Sequence, residues 1–322
     1  MEQRQLGSLT VSAVAVGCQT FGAPLRPGAV DEVVGAALDA GITFFDTADV
    51  EGGGLAEELL GRALRRRQAD AVVGTKVGAP GTARPGLSGG HPTWVREAVH
   101  ASLQRLGRER IDVLQLHHHD PAVPLADTVG AAAGLVREGL VGELGCSGYP
   151  ADVVAPLAAL AAHEGTPLRV CQLRHSLLVR SPALREACAR AGVAITPFHP
   201  LEGGVLTGKY APGAPWPAGS RLARATPHRA ARWLHPGALE AVAELDRFAR
   251  AQLGRSVLDL ALGWLLSDPL VVAVPVGVTS PAQVRAAVAA AGRRLDATTR
   301  QALDDLLAGQ GFPLAVEPVT SA

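Results

Sequence analysis

Ile42-Thr43-Phe44-Phe45 runs directly into Asp46, and within residues 42–73 it is followed by Leu55 to Arg67 and then by Ala71-Val72-Val73. The first and last of these runs are short, apolar and rich in β-branched or aromatic residues, as buried strands are. Between them Leu55, Leu59, Leu60, Ala63 and Leu64 recur at spacings of three and four, which places them on one face of a helix. Arg65-Arg66-Arg67 closes that helix, where cations suit the dipole and the solvent, so nucleic-acid binding is not implied. Strand, helix, strand is the unit of a parallel sheet.

Outward from this unit the pattern repeats. Candidate strands are Ala13 to Val16, Ile111 to Leu116, Val141 to Leu144, Leu168 to Gln172, Val193 to Thr196 and Leu270 to Val274. Candidate helices are Val30 to Ala40, Trp94 to Leu106, Asp127 to Glu138, Ala151 to His163, Pro182 to Ala191, Val257 to Ser267 and Pro281 to Ala291. About eight alternations admit a closed (β/α)8 barrel or an open doubly wound sheet. Even spacing favours the barrel, and no GxGxxG follows the first strand: Gly17-Cys18-Gln19-Thr20-Phe21-Gly22 does not match, nor does Gly52-Gly53-Gly54. The expected fold is therefore α/β, a TIM barrel, as one domain over residues 1–322. Residues 203–236, with Pro212, Pro215, Pro217 and Gly219, read as a long loop after the seventh strand, a place where barrels bind phosphates.

Composition narrows the function. The 322 residues carry 30 Lys+Arg against 30 Asp+Glu, so the basic excess typical of nucleic-acid or membrane-surface proteins is missing. With 48% hydrophobic residues spread along the chain, a disordered protein is excluded. No run has the length of a membrane span or a signal peptide, and Cys18, Cys146, Cys171 and Cys188 form no CxxC pair. The expectation is a reduced, cytoplasmic protein acting on a small molecule, with no partner among nucleic acids or membranes and no stated subunit count. Aromatics make up only 4%, with Tyr149 and Tyr210 the two tyrosines. Trp94 and Trp264 fall in helical patterns and read as core, whereas Trp216 and Trp233 read as a lid over the substrate. Cys18 and Cys146 read as small packing residues, Cys146 without a thiol near it in sequence.

Barrel chemistry sits at the C-terminal ends of the strands. Asp46, Lys76 and His117 follow the second, third and fourth apolar runs. A carboxylate and an ammonium pair there, and a charge tunes a neighbouring imidazole, which serves either a proton relay or a plain salt bridge beside a strand-end histidine. His117-His118-His119 suggests no metal, because successive residues leaving a strand point alternately.

At these positions the chain resembles the aldo-keto reductase family. Phe44-Phe45-Asp46-Thr47-Ala48-Asp49-Val50 with Glu57-Glu58-Leu59-Leu60-Gly61 is similar to its second-strand motif. Thr75-Lys76 is similar to its lysine motif, and Ile111 to His117 with Asp120-Pro121 to its histidine motif. Gly145-Cys146-Ser147, Gln172 with Ser176-Leu177-Leu178, Pro200-Leu201 leading to Leu206-Thr207-Gly208-Lys209-Tyr210, and Gly277 to Gln283 continue the series, so the likeness runs from Leu6-Gly7 to about Ala291.

The resemblance implies an NADP(H)-dependent barrel enzyme that passes hydride between nicotinamide and a carbonyl or alcohol, using an Asp, Tyr, Lys and His tetrad. Asp46, Lys76 and His117 match three members. Where the tyrosine should stand, five residues after Asp46, this chain has Glu51, and neither tyrosine is free to replace it. The resemblance also implies a nucleotide held by Ser147, Gln172, Phe198, Pro200, Leu201, Lys209, Arg221, Gly277, Thr279 and Gln283. It departs at Gly148, where many relatives have Asn or Arg, at His199 in place of the usual Ser, at Thr279, where some carry a basic residue, and at Ala286-Ala287, where Glu-Asn is common. A phenol has an ordinary pKa near 10 and a carboxyl near 4.3; Lys76 would lower the latter, while burial and Asp46 would raise it. Ionised, Glu51 is a base; protonated, it donates to a carbonyl. Three functions stay open: an oxidoreductase with Glu51 as the proton group, a lyase, dehydratase or isomerase using Glu51, Lys76 and His117, or a binding or redox-sensing protein.

Overall fold

The computed structural model describes residues 1–315; the last residues of the expected domain, 316–322, lie outside the described part. The chain opens with an antiparallel hairpin, β1 (Gln3–Leu6) and β2 (Leu9–Ser12). The barrel strands are β3 (Val14–Gly17), β4 (Phe44–Asp46), β5 (Val72–Val77), β6 (Ile111–Leu116), β7 (Val141–Ser147) and β8 (Leu168–Arg174). A short β9 (Val179–Arg180) precedes the last two, β10 (Ala194–Phe198) and β11 (Val274–Gly277), and β12 (Leu314–Ala315) pairs with β9. The sheet order β10-β8-β7-β6-β5-β4-β3-β11 is parallel throughout. A bridge between Ile195 and Val271, with Ile195 N donating to Leu270 O and Val272 N to Ile195 O, closes the ring. This is the expected (β/α)8 barrel.

The outer helices are α1 (Pro27–Asp39), α2 (Leu55–Arg67), α3 (Pro92–Leu106), α4 (Leu125–Arg137), α5 (Ala151–His163) and α6 (Pro182–Ala191). After two short helices, α7 (Arg221–Arg224) and α8 (Pro227–Ala230), come α9 (Ala238–Phe248), α10 (Val257–Leu266), α11 (Pro281–Ala291) and α12 (Ala297–Gly309). One strand expectation needs correction: the run Leu270 to Val274 only closes the barrel, and the eighth ladder strand is β11, which begins at Val274. The apolar run continues past Val274 as Pro275-Val276, and apolarity by itself does not tell a strand from the extended approach to it.

Period-two alternation sorts each strand between two cores. Phe45 points out into the large core beneath the helices, whereas Phe44 joins Val113, Val170, Val272 and Ala273 inside the barrel. Leu6, Val11 and Ala15 pack against this inner group, so the hairpin plugs the lower end. Above the plug the inward positions turn polar: Asp46, Lys76, Gln115, Ser147, Gln172 and Thr196 are all buried. Gly74 of β5 makes room for them, since a Cβ there would lie 3.1 Å from the Phe44 ring and 3.7 Å from an Asp46 carboxylate oxygen.

Candidate active site

Asp46 is the hub of the polar layer. Lys76 Nζ donates to its Oδ2 at 2.7 Å, Gln172 Nε2 to the same oxygen at 3.2 Å, and Gln115 Nε2 to Oδ1 at 3.0 Å. Three inward donors on neighbouring strands thus offset the desolvation of one carboxylate. Burial alone would lower the Lys76 ammonium, but the Asp46 and Glu51 carboxylates outweigh it and raise it, so Lys76 stays charged.

Glu51 hangs over this pair from the segment after β4. Gly52, Gly53 and Gly54 follow it with φ of 60°, 66° and 92°, a left-handed run that only glycine adopts without strain and that turns the chain into α2. Thr47 Oγ1 donates to Glu51 Oε2 at 3.1 Å and fixes the side chain. Burial pushes the Glu51 carboxyl up, Lys76 pulls it down and Asp46 pushes it up again, with a value of about 7. Desolvation therefore outweighs the Lys76 charge at this carboxyl. Helix α2 is seated by a second buried carboxylate, Glu57, which accepts from Thr75 Oγ1 and from Arg105 Nε, both at 2.6 Å.

His117 leaves the end of β6, its N–H donating to Val77 O at 2.8 Å. Burial, then the Lys76 charge and His118, drive its imidazole down to about 2, so the ring is neutral at any working pH. Its Nδ1 is sealed from solvent without a partner among the described residues. Cys18, at the end of β3, also belongs here, with burial, Glu51 and Asp46 holding its thiol well above the ordinary value. A neutral imidazole, a fixed ion pair and a carboxyl balanced near neutrality form a proton-handling site.

The other expected residues line the rim beside it. Ser147 and Gln172 stand at the ends of β7 and β8, and Gln172 is held by Asp46 in place of facing free space. Phe198 ends β10, edge-on to His199 at 5.2 Å, and Pro200 and Leu201 follow in a turn where His199 and Glu202 have φ of 52° and 43°. Lys209 is exposed, its ammonium 5.1 Å from the Tyr210 ring. Arg221 reaches back across the rim: Nη1 donates to Gln19 Oε1 at 3.2 Å, and Nη2 lies against Gly277. Thr279 N donates to Gln283 Oε1 at 2.7 Å at the start of α11. Neither Lys209 nor Arg221 is within ion-pair distance of a carboxylate among the described residues, although burial lowers the Arg221 guanidinium. Cations free of carboxylate partners among the described residues fit a phosphate-bearing ligand.

Several expectations change. Trp233 is not an exposed lid: it is 7% exposed, packs on Gly203 and carries the Arg221 guanidinium 5.4 Å from its ring, whereas Trp216 is open. Cys146, without a thiol near it in sequence, is in space the register partner of Cys171 on β8. His119 turns away from its two neighbours to lie 5.5 Å from the Tyr149 ring. Thr47, Gln115 and Cys18 join the site although the sequence does not mark them as site residues. For Gln115 the signal was present, an amide at an inward position of an otherwise apolar strand.

Comparison with known proteins agrees with this geometry. Residues 13–308 match the Aldo/keto reductase family. A probable voltage-gated potassium channel subunit beta of Arabidopsis thaliana is 33% identical over 299 residues, 88% of this chain and 89% of that protein. The L-glyceraldehyde 3-phosphate reductase of Escherichia coli is 32% identical over 262 residues, 77% of this chain and 74% of that one. The holo form of the aldo-keto reductase AKR11C1 from Bacillus halodurans superposes with a TM-score of 0.76 at 27% identity, covering 95% of this chain and 96% of that one. The chain belongs to the aldo/keto reductase family, and its fold and relatives make it an aldo-keto reductase-type oxidoreductase. No helix among the described residues is long and apolar enough to cross a membrane.

Proposed function

We propose that this chain is a cytoplasmic, NADP(H)-dependent oxidoreductase of small-molecule carbonyls and alcohols in which Glu51 takes the part of the proton donor and acceptor. The observation that carries the reading is the buried Glu51 carboxyl, held by Thr47 beside the Asp46–Lys76 pair and pushed up to about 7 by burial. A group balanced there presents both acid and base near neutrality, the condition under which proton transfer is fastest. NADP(H), when bound, supplies or accepts the hydride. Ser147 and Gln172 would hold its carboxamide and Phe198 its ring; Pro200, Leu201, Lys209 and Arg221 would hold the phosphates, and Gly277, Thr279 and Gln283 the adenosine end. Residues 269–295 contain no Asp or Glu but do contain Arg285, which suits a ribose bearing a phosphate better than a free diol.

In reduction the protonated Glu51 donates to the carbonyl oxygen, the neutral His117 ring hydrogen-bonds that oxygen, and the Lys76 ammonium stabilises the carboxylate left behind. Below about pH 7 the acid form dominates, so carbonyl reduction falls as pH rises through 7 while alcohol oxidation rises. A second reading, a lyase, dehydratase or isomerase using Glu51, Lys76 and His117, is favoured by the same Glu51 carboxyl beside a neutral His117, which moves protons without hydride. A fluorescence titration with NADPH, followed by reduction of simple aldehydes across pH 5–9, separates the two. Under the oxidoreductase reading NADPH binds, and Glu51→Gln slows reduction by about 10²- to 10⁴-fold and flattens the pH profile. Absent NADPH binding, the proton-transfer reading replaces it.

A further inference from the structure

Arg174 ends β8, and three rim segments meet on its guanidinium. Nη2 donates to Glu202 Oε2 at 2.6 Å and to Arg232 O at 2.8 Å, and lies 3.5 Å from His235 Nε2. Glu202 is closed off from solvent, and its other carboxylate oxygen accepts from Ser176 Oγ at 3.0 Å. A buried ion pair contributes little net stability, because desolvation offsets the attraction. Arg174 Nε is in addition sealed from solvent with no partner among the described residues. The pair fixes geometry instead. Glu202 stands at φ 43°, which an L residue holds only where its surroundings impose it, and Arg174 and Ser176 grip its carboxylate there. At the next residue, Gly203, a Cβ would fall 2.6 Å from Trp233 Cδ2, so the indole lies directly on this backbone. Trp233 is thus held twice, by Gly203 against its ring and by Arg174 on the carbonyl of Arg232, the residue before it. The Arg221 guanidinium lies 5.4 Å from that indole and makes one side-chain hydrogen bond among the described residues, to Gln19. A long cation so sparsely bonded keeps its place largely through the ring it packs on.

The geometry points to Arg174 and Glu202 as a positioning pair: through Gly203 and Trp233 they set the Arg221 guanidinium where a nucleotide phosphate would meet it. The pair acts without touching the nucleotide. It removes beforehand the freedom that Arg221 and the turn from His199 to Glu202 would otherwise lose on binding, and preorganisation of that kind raises affinity.

The inference rests on the NADP(H) reading, and its test lets the two fail separately. NADPH is titrated by fluorescence into the native protein, Arg221→Ala, the double variant Arg174→Met with Glu202→Met, and all three changes together. The double variant removes both charges at similar volume and strands neither. Its Kd should rise about tenfold, while kcat at saturating NADPH falls less than about threefold. In the Arg221→Ala background the same two changes should add less than about twofold, because the cation they position is already gone. A Kd that rises less than about threefold, a kcat that falls more than affinity does, or losses that multiply in the combined variant overturn the inference. If the double variant does not fold, Glu202→Gln, which keeps the volume and an acceptor for Ser176, replaces it: a rise of about threefold or more upholds the inference and a smaller one overturns it. If the native protein binds no NADPH, the oxidoreductase reading falls and inorganic pyrophosphate decides. Pyrophosphate should then raise the unfolding temperature of the native protein and not that of the variant, and equal shifts, or none, overturn the inference.

Discussion

Phe44 and Asp46 stand two residues apart on one strand and face the same interior, yet they belong to opposite halves of the barrel. Phe44 sits among Val113, Val170 and Ala273 with the hairpin residues Leu6 and Val11 beneath it. Asp46 sits among Lys76, Gln115 and Gln172, with Glu51 and His117 near the same lysine. The lower half gains stability from excluded water; the upper half gives some up by burying charges and leaving the His117 Nδ1 unpartnered. One alternating pattern thus divides its labour between cohesion and chemistry by height along the strand.

The sharpest way to break this comparison is Lys76→Met. It strips Asp46 of its cation and leaves a buried carboxylate uncompensated, a loss of about 3–5 kcal/mol. Activity should also be lost, because the Glu51 carboxyl would lose its stabilising charge and rise further; chemical denaturation together with the rate assay reads both. Phe44→Ala should cost a similar or smaller amount, about 3–5 kcal/mol for an emptied aromatic site, while the rate per folded molecule at low temperature stays within a few-fold of native. A Phe44→Ala protein that is stable but inactive would show that the halves are not separable.

The smallest effect is a gain. A carboxyl whose folded value stands at about 7, above its ordinary 4.5, binds more protons when folded. Its cost is therefore absent below about pH 4.5 and complete above about pH 7. Glu51→Gln should accordingly melt higher than native at pH 8, by the equivalent of about 1–3 kcal/mol, with the gap closing toward pH 4.5. Thermal unfolding at both pH values checks it, and a gap independent of pH would show that Glu51 is ionised without penalty.

Much of the molecule was legible because the barrel repeats one pattern. Leu55–Arg67, Ala151–His163, Pro182–Ala191 and Pro281–Ala291 form helices over the residues that their periodicity marks. The hairpin, α9 and α12 went unread, since they lie outside the strand-helix alternation: β1 and β2 are four residues each, and α9 follows the proline-rich loop. Asp46, Lys76 and His117 were legible from their places at strand ends, whereas Thr47 matters only through its bond to Glu51. The meeting of Cys146 with Cys171 depends on register between strands, which spacing along the chain does not encode.

The hairpin plug closes one end of the barrel. Leu6, Val11 and Phe44 fill that end, so Lys76 and Glu51 exchange protons with bulk water from the other. Whatever ligand covers that other end therefore isolates the site's proton inventory for as long as it stays, and one turnover draws on the single proton Glu51 held when the ligand arrived.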